Sequence, residues 1–158
     1  LADAEGNLYI QYRSATDVMN RDTYLLTSKD QAATFSGVKL DSWSVGKCVM
    51  STQALMPGPT TAWETKGQIF FAGPKGKHGS APGSSELRKH PALASNARGD
   101  TLLVWTEGMA WKKPGTLGWQ VYDRDARPKG LPGSAPGVPA FSLISAFAKP
   151  DGSFTIVY

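Results

Sequence analysis

The chain of 158 residues contains one cysteine, Cys48, and two histidines, His78 and His90. A single cysteine excludes an internal disulfide framework. With so few histidines, neither a catalytic thiol nor a His-rich metal site has partners to be built from. Cys48, followed by Val49 and Met50, reads as a small buried hydrophobe. Charge is also scarce, at 19% of residues. The net charge of +4 comes from scattered lysines and arginines, densest at Lys75 and Lys77 and at Lys112-Lys113. No basic run is interleaved with aromatics, so no nucleic-acid surface is expected. No apolar run approaches the roughly 18 to 20 residues of a membrane-spanning helix. No metal or cofactor motif is present, and none is expected to be needed. The chain opens at Leu1 within a strand pattern, without a leader, which reads as part of a longer protein.

What is abundant is glycine (17), proline (11) and tryptophan (5), the composition of a turn-rich, aromatic β protein. Four segments repeat. They are Gly6 to Arg13, Thr60 to Glu64, Gly99 to Glu107 and Asp151 to Tyr158. Three open on a glycine turn, and each carries an aromatic near its end. Anchored on Tyr12, Trp63, Trp105 and Tyr158, the spacings are about 51, 42 and 53 residues, the size of a four-stranded propeller blade. A preceding apolar strand is expected at Val49 to Met56, Pro91 to Ala97 and Val138 to Ala148. Following strands are expected at Thr23 to Ser28, Gln68 to Ala72 and Leu117 to Tyr122, with Val38 to Val45 as a further outer strand. Residues 75–85 and 128–137 are rich in Gly, Pro and Ser and read as loops with short edge strands.

With blade strands lettered A to D from the axis outward, the chain reads B-C-D, A-B-C-D, A-B-C-D, A-B. That is all-β, about three blades, bounded approximately at 1–47, 48–89, 90–137 and 138–158. An open stack of blades leaves apolar faces uncovered, so further chain or a second copy is expected to close it.

The stretch Tyr24 to Phe35 supplies a second signal. A strand runs into a turn at Ser28 and Asp30, whose oxygens accept from nearby N–H groups, and Thr34 and Phe35 return the chain. Phe35 is expected to pack beneath the turn. The pattern Ser28-x-Asp30-x-x-x-Thr34-Phe35 resembles the Asp-box (BNR) of sialidase-like propellers, with Ala32 where that box has glycine. The whole chain resembles the C-terminal half of bacterial exo-α-sialidase-like propellers. This resemblance rests on Tyr12 to Thr16, Asn20 to Ser28, Ala62 to Thr65, Gly67 to Ala72, Lys89 to Ala94, Trp105 to Gly108 and Asp151 to Tyr158. It implies a six-bladed, exported propeller. It does not establish activity, because many relatives carry the name by similarity only; nothing here matches the Arg-Ile-Pro motif of the first arginine, and the acid/base Asp of such enzymes lies early in that family.

In a propeller the B–C and D–A connections share one rim. On that rim the sequence puts Arg13, Asp17, Arg21, Glu64, Arg88, His90, Glu107 and Trp111. As a site, Arg13, Asp17, Arg21, Arg88, His90 and Trp111 would bind a carbohydrate, with Glu64 and Glu107 as the catalytic candidates. Arg13 with Glu64 and similar pairs also read as structural salt bridges between blades, and His90 as a strand-start residue before Pro91. Three functions stay open: a glycan-binding propeller, an exo-sialidase completed by more chain, and a protein-interaction scaffold.

Overall fold

Alternating apolar and polar residues, punctuated by Gly turns, give thirteen strands among the described residues. In the computed structural model they are β1 (Leu8–Arg13), β2 (Thr23–Ser28), β3 (Ser36–Asp41), β4 (Gln53–Met56), β5 (Thr60–Thr65), β6 (Gln68–Ala72), β7 (His78–Ser80), β8 (Arg88–Ser95), β9 (Thr101–Glu107), β10 (Gly115–Tyr122), β11 (Pro128–Val138), β12 (Ser145–Ala148) and β13 (Phe154–Val157). The structure describes all residues except 47, 48, 50, 51, 74, 75, 77, 85, 86 and 111, so Cys48 and Trp111 lie outside the described residues. No α-helix occurs among the described residues. Among the described residues no helix is long and apolar enough to cross a membrane.

The strands form four antiparallel sheets in chain order, β1-β2-β3, β4-β5-β6-β7, β8-β9-β10-β11 and β12-β13. Three, four, four and two strands is the succession expected from the turn signals, and the fold is that of consecutive propeller blades. The inner strands β4, β8 and β12 pack side by side and fix how one sheet faces the next.

The core lies between sheets. β9 is buried on both faces and divides its side chains by parity. Leu103 and Trp105 meet Ala62, Ile69 and Phe71 of the second sheet, with Tyr122 in the same cluster. Leu102 and Val104 point the other way, with Leu117 and Val138, and Ala146, Phe154 and Ile156 of the fourth sheet pack on them. Each fully buried Leu, Ile, Val or Phe among them contributes about 1.5–3 kcal/mol by leaving water.

One five-residue turn joins inner to second strands. At Asp3–Asn7, Asn96–Asp100 and Lys149–Ser153 the first N–H bonds to the fifth carbonyl, and the glycine at the fourth position donates back to the first carbonyl. Those glycines, Gly6, Gly99 and Gly152, have φ of 82°, 81° and 83°, which L-side chains rarely adopt. Leu1 and Tyr9 exchange both backbone hydrogen bonds ahead of the first turn, so β1 takes the second-strand position of its sheet.

Three local expectations need correction. Residues 128–138 form an eleven-residue strand, not a loop with short edges. Its three prolines are accommodated because β11 is an edge strand, where a missing N–H leaves no ladder bond unmade. A register shift between Trp119 and Val121 bulges it, and the buried Gln120 amide donates to the carbonyls of Lys129 and Gly130 there. The inner strand expected at Val138 to Ala148 is shorter. Val138 closes β11, residues 139–144 connect, and only Ser145–Ala148 pairs. Phe35 is 42% exposed and not packed beneath its turn.

Candidate functional site at the inner-strand mouth

The turns between inner and second strands and between third and outer strands gather at one end of the sheets. The remaining connections gather at the other end, around His90. In β8 the register slips between Lys89 and Ala92, and His90 has a left-handed φ of 50°. The slip turns His90 out of the ladder, with Nδ1 3.4 Å from the Thr106 hydroxyl. Burial lowers the pKa of its half-buried ring, and the charge of Lys89 adds to the effect. Phe141, in the connection after β11, is also left-handed, at φ 63°. Non-glycine residues held there cost of order 1–3 kcal/mol each, and such strain gathers at binding sites.

His90 and Phe141 line one cavity of about 250 Å³. Met109, Phe141 and Leu143 give it an apolar wall, while Lys89, His90 and Ser142 supply polar groups. Among the described residues the Lys89 ammonium has no ion-pair partner. A second depression of about 290 Å³ shares His90 and Leu143 and continues to Thr52, Gln53, Pro91 and Ile144. It runs across the starts of the three neighbouring inner strands β4, β8 and β12. The mouth is therefore assembled from three blades, with an apolar floor and a few hydrogen-bonding groups, the usual make-up of a small-ligand site.

The other expected rim residues are engaged elsewhere. Arg13 donates to the carbonyls of Arg21 and Glu64 and lies over Trp43, 5.1 Å from the ring centroid. Burial pulls its pKa down against the pull of Glu64, Asp41 and Asp22. Glu64 is buried and accepts the Gly67 N–H at 2.8 Å, holding its own hairpin. Arg88 is only 5% exposed. Its nitrogens donate to Glu107, Gln68 and the carbonyls of Ala81 and Pro82. Glu107 also accepts from the Trp105 indole at 2.8 Å. The pair lies within the third sheet, and the bonds of Arg88 to Gln68, Ala81 and Pro82 tie that sheet to the second, so both side chains are engaged away from the mouth.

Asp17 closes an exposed turn by accepting from Asn20 and Met19, which lowers its pKa. Arg21 donates to the carbonyls of Asp17 and Asn20. The Ser28–Thr34 turn has the expected bonding. Ser28 donates to Asp30 at 2.8 Å, and Asp30 accepts from the Thr34 N–H and hydroxyl. These bonds, that to the Thr34 hydroxyl foremost, lower the Asp30 pKa to about 2. Among the described residues no cluster of three or more His, Cys, Asp or Glu could hold a metal.

Of the residues expected at the rim, His90 alone lines this cavity among the described residues, and Lys89, Met109, Phe141, Ser142 and Leu143 line it without having been expected there. Gly108, at φ 69°, marked the connection that brings Met109 there. Nothing local marked Phe141, because Val138 to Ala148 read as one strand.

No family model matches the chain, and no curated protein matches it. Among solved structures, Penicillium chrysogenum alpha-L-arabinanase complexed with arabinobiose aligns with a TM-score of 0.54 at 12% identity. The alignment covers 96% of this chain and 53% of that one, so the chain spans about half the length of that structure. At this identity the likeness is one of fold, a β-propeller shared with a glycosidase.

Proposed function

We propose that the chain is a glycan-binding segment of a β-propeller, with one sugar residue held at the mouth around His90. The observation that carries this reading is the meeting of two cavities at His90 and Leu143, one walled by Met109 and Phe141 as an apolar surface for a sugar ring, the other running across the three inner-strand starts. His90, Ser142 and Lys89 would meet hydroxyls or a carboxylate. The structural neighbour is complexed with arabinobiose, which supports a sugar as the ligand. Binding is favoured over hydrolysis. Glycoside hydrolysis needs two carboxyl groups flanking the bond, and no carboxylate lines either mouth cavity among the described residues.

The bonded Ser28–Asp30–Thr34 turn supports a narrower reading, a sialidase-type propeller. On that reading the acid and the carboxylate-holding arginine come from outside these 158 residues, the blade limits are those given above, and the protein is exported. The test is ¹³C-methyl-methionine NMR with arabinobiose and with N-acetylneuraminic acid, reading Met109. A saturable Met109 shift with either sugar, weakened about tenfold (1.4 kcal/mol) by Phe141→Ala, supports the mouth. A shift with N-acetylneuraminic acid alone favours the sialidase-type reading. If neither sugar moves Met109, glycan binding at the mouth is wrong.

A further inference from the structure

We propose a second ligand site at the opposite end of the blades, a slot between the second and third sheets that takes a small carboxylate with an apolar body. A cavity of about 390 Å³ opens there among the turns at 57–59, 96–100 and 123–127. Its walls include Met56, Phe71, Tyr122 and Ala126. Phe71 and Tyr122 are 1% and 3% exposed, with ring centroids 4.3 Å apart, so the floor is a fixed aromatic pair. The Tyr122 hydroxyl already donates to the Ser80 carbonyl, and burial raises its pKa to about 12. It therefore presents ring, not charge, to the slot.

Arg124 supplies the polar end. Its shaft lies across Gly99, where a Cβ would come within 2.6 Å of Nε and 2.8 Å of Cγ. Nε donates to the Arg98 carbonyl at 2.7 Å. The guanidinium is thus held at the edge of the slot, and its two terminal nitrogens have no partner among the described residues. Thr60, 1% exposed, lines the same slot, and its hydroxyl makes no hydrogen bond among the described residues. The adjacent Asp123 has one oxygen engaged, accepting the N–H groups of Asp125 and Arg127. A fixed guanidinium fork with two unused donors matches a carboxylate in a way that a lysine would not. The apolar walls ask for a hydrocarbon body behind it, within the range of small-ligand pockets. No residue of this slot lines the mouth around His90, so the two sites stand or fall separately.

The test uses the same methionine-labelled chain, in which Met56 reports the slot and Met109 the mouth. Hexanoate and phenylacetate are each titrated beside their alcohols, hexanol and 2-phenylethanol. At least one acid is expected to shift the Met56 methyl saturably and leave Met109 still. Its alcohol should bind about tenfold more weakly, and Arg124→Gln should weaken the acid by about the same factor. An alcohol that binds as well as its acid, an Arg124→Gln chain that binds unchanged, or no saturable Met56 shift with either acid overturns the proposal.

Discussion

Ala32 stands at φ 71° in the Ser28–Thr34 turn, a left-handed conformation in which its Cβ is crowded by backbone. The turn tolerates it because Ser28 accepts the Ala32 N–H at 2.9 Å and Asp30 ties Thr34 back. Ala32→Gly relieves that crowding and gives back part of the gain as unfolded-chain entropy. It is expected to stabilise the chain by about 0.5–1 kcal/mol, read as a higher denaturation midpoint at unchanged slope. A lower midpoint would mean that the turn does not hold Ala32 left-handed. His90 carries the second residue-scale prediction. Burial, with Lys89, lowers its pKa in the fold, so at pH values just below its ordinary 6.5 the unfolded chain binds more protons. The contribution of neutral His90 is therefore present above pH 6.5 and lost as pH falls through the window below it. His90→Asn keeps a residue that tolerates positive φ and removes the titration. Wild type should lose more stability than His90→Asn between about pH 7 and pH 5, followed by denaturant melts at each pH. Equal losses would show that His90 titrates normally in the fold.

At the scale of elements, the first strand of one blade is fastened to its predecessor by Arg88. The guanidinium bridges Glu107 on β9, Gln68 on β6 and two carbonyls of the segment after β7. It lies over Trp105, 5.1 Å from the ring centroid. Removing one partner of such a pair leaves the other carrying an uncompensated charge. Arg88→Ala is expected to cost about 3 kcal/mol, with part recovered in the Arg88→Met, Glu107→Gln double variant. A ligand-binding arginine free at the rim would change stability little, so urea denaturation of the two variants decides between the roles. Sequence could not make that choice. Spacing put Arg88 and Glu107 at the same end of the blades, but both readings needed that. The partners at Gln68, Ala81 and Pro82 lie in the neighbouring blade, some 6 to 20 residues away in the chain. What sequence did carry was local. The glycine turns at Gly6, Gly99 and Gly152 and the period-2 runs of β2 and β10 set the order of strands. Prolines misled at β11, because their effect depends on whether a strand lies at an edge, which no local window contains. The mouth was illegible for the same reason, since it is made by residues from three sheets that meet only after packing.

For the molecule as a whole, the inner sheets are covered on both faces and the outer two are not. On the first sheet Ile10 and Tyr12 are 46% and 37% exposed, and Tyr12 stacks on Tyr24 of the neighbouring strand at 5.4 Å. On the fourth sheet, β12 and β13 turn Ala146 and Ile156 into the core, while Phe147 and Val157 remain 50% and 55% exposed. These two surfaces repeat the pattern that elsewhere is buried between sheets, where β9 meets its neighbours on both sides. Contiguous apolar faces of this kind tend to be covered by protein. A net charge of +4 gives only weak long-range repulsion to oppose their contact. The 158-residue chain is therefore expected to self-associate with rising concentration, first sheet against fourth. Sedimentation velocity should show the weight-average coefficient climbing with concentration. Ile10→Lys combined with Phe147→Lys should flatten that climb, because each puts a charge where a sheet face would have to be desolvated. The two side chains face outward, so the same variant should keep the wild-type unfolding midpoint. A coefficient that stays constant with concentration in the wild type would show that these faces are satisfied by water alone. Association that survives the double variant would place the contact on another surface.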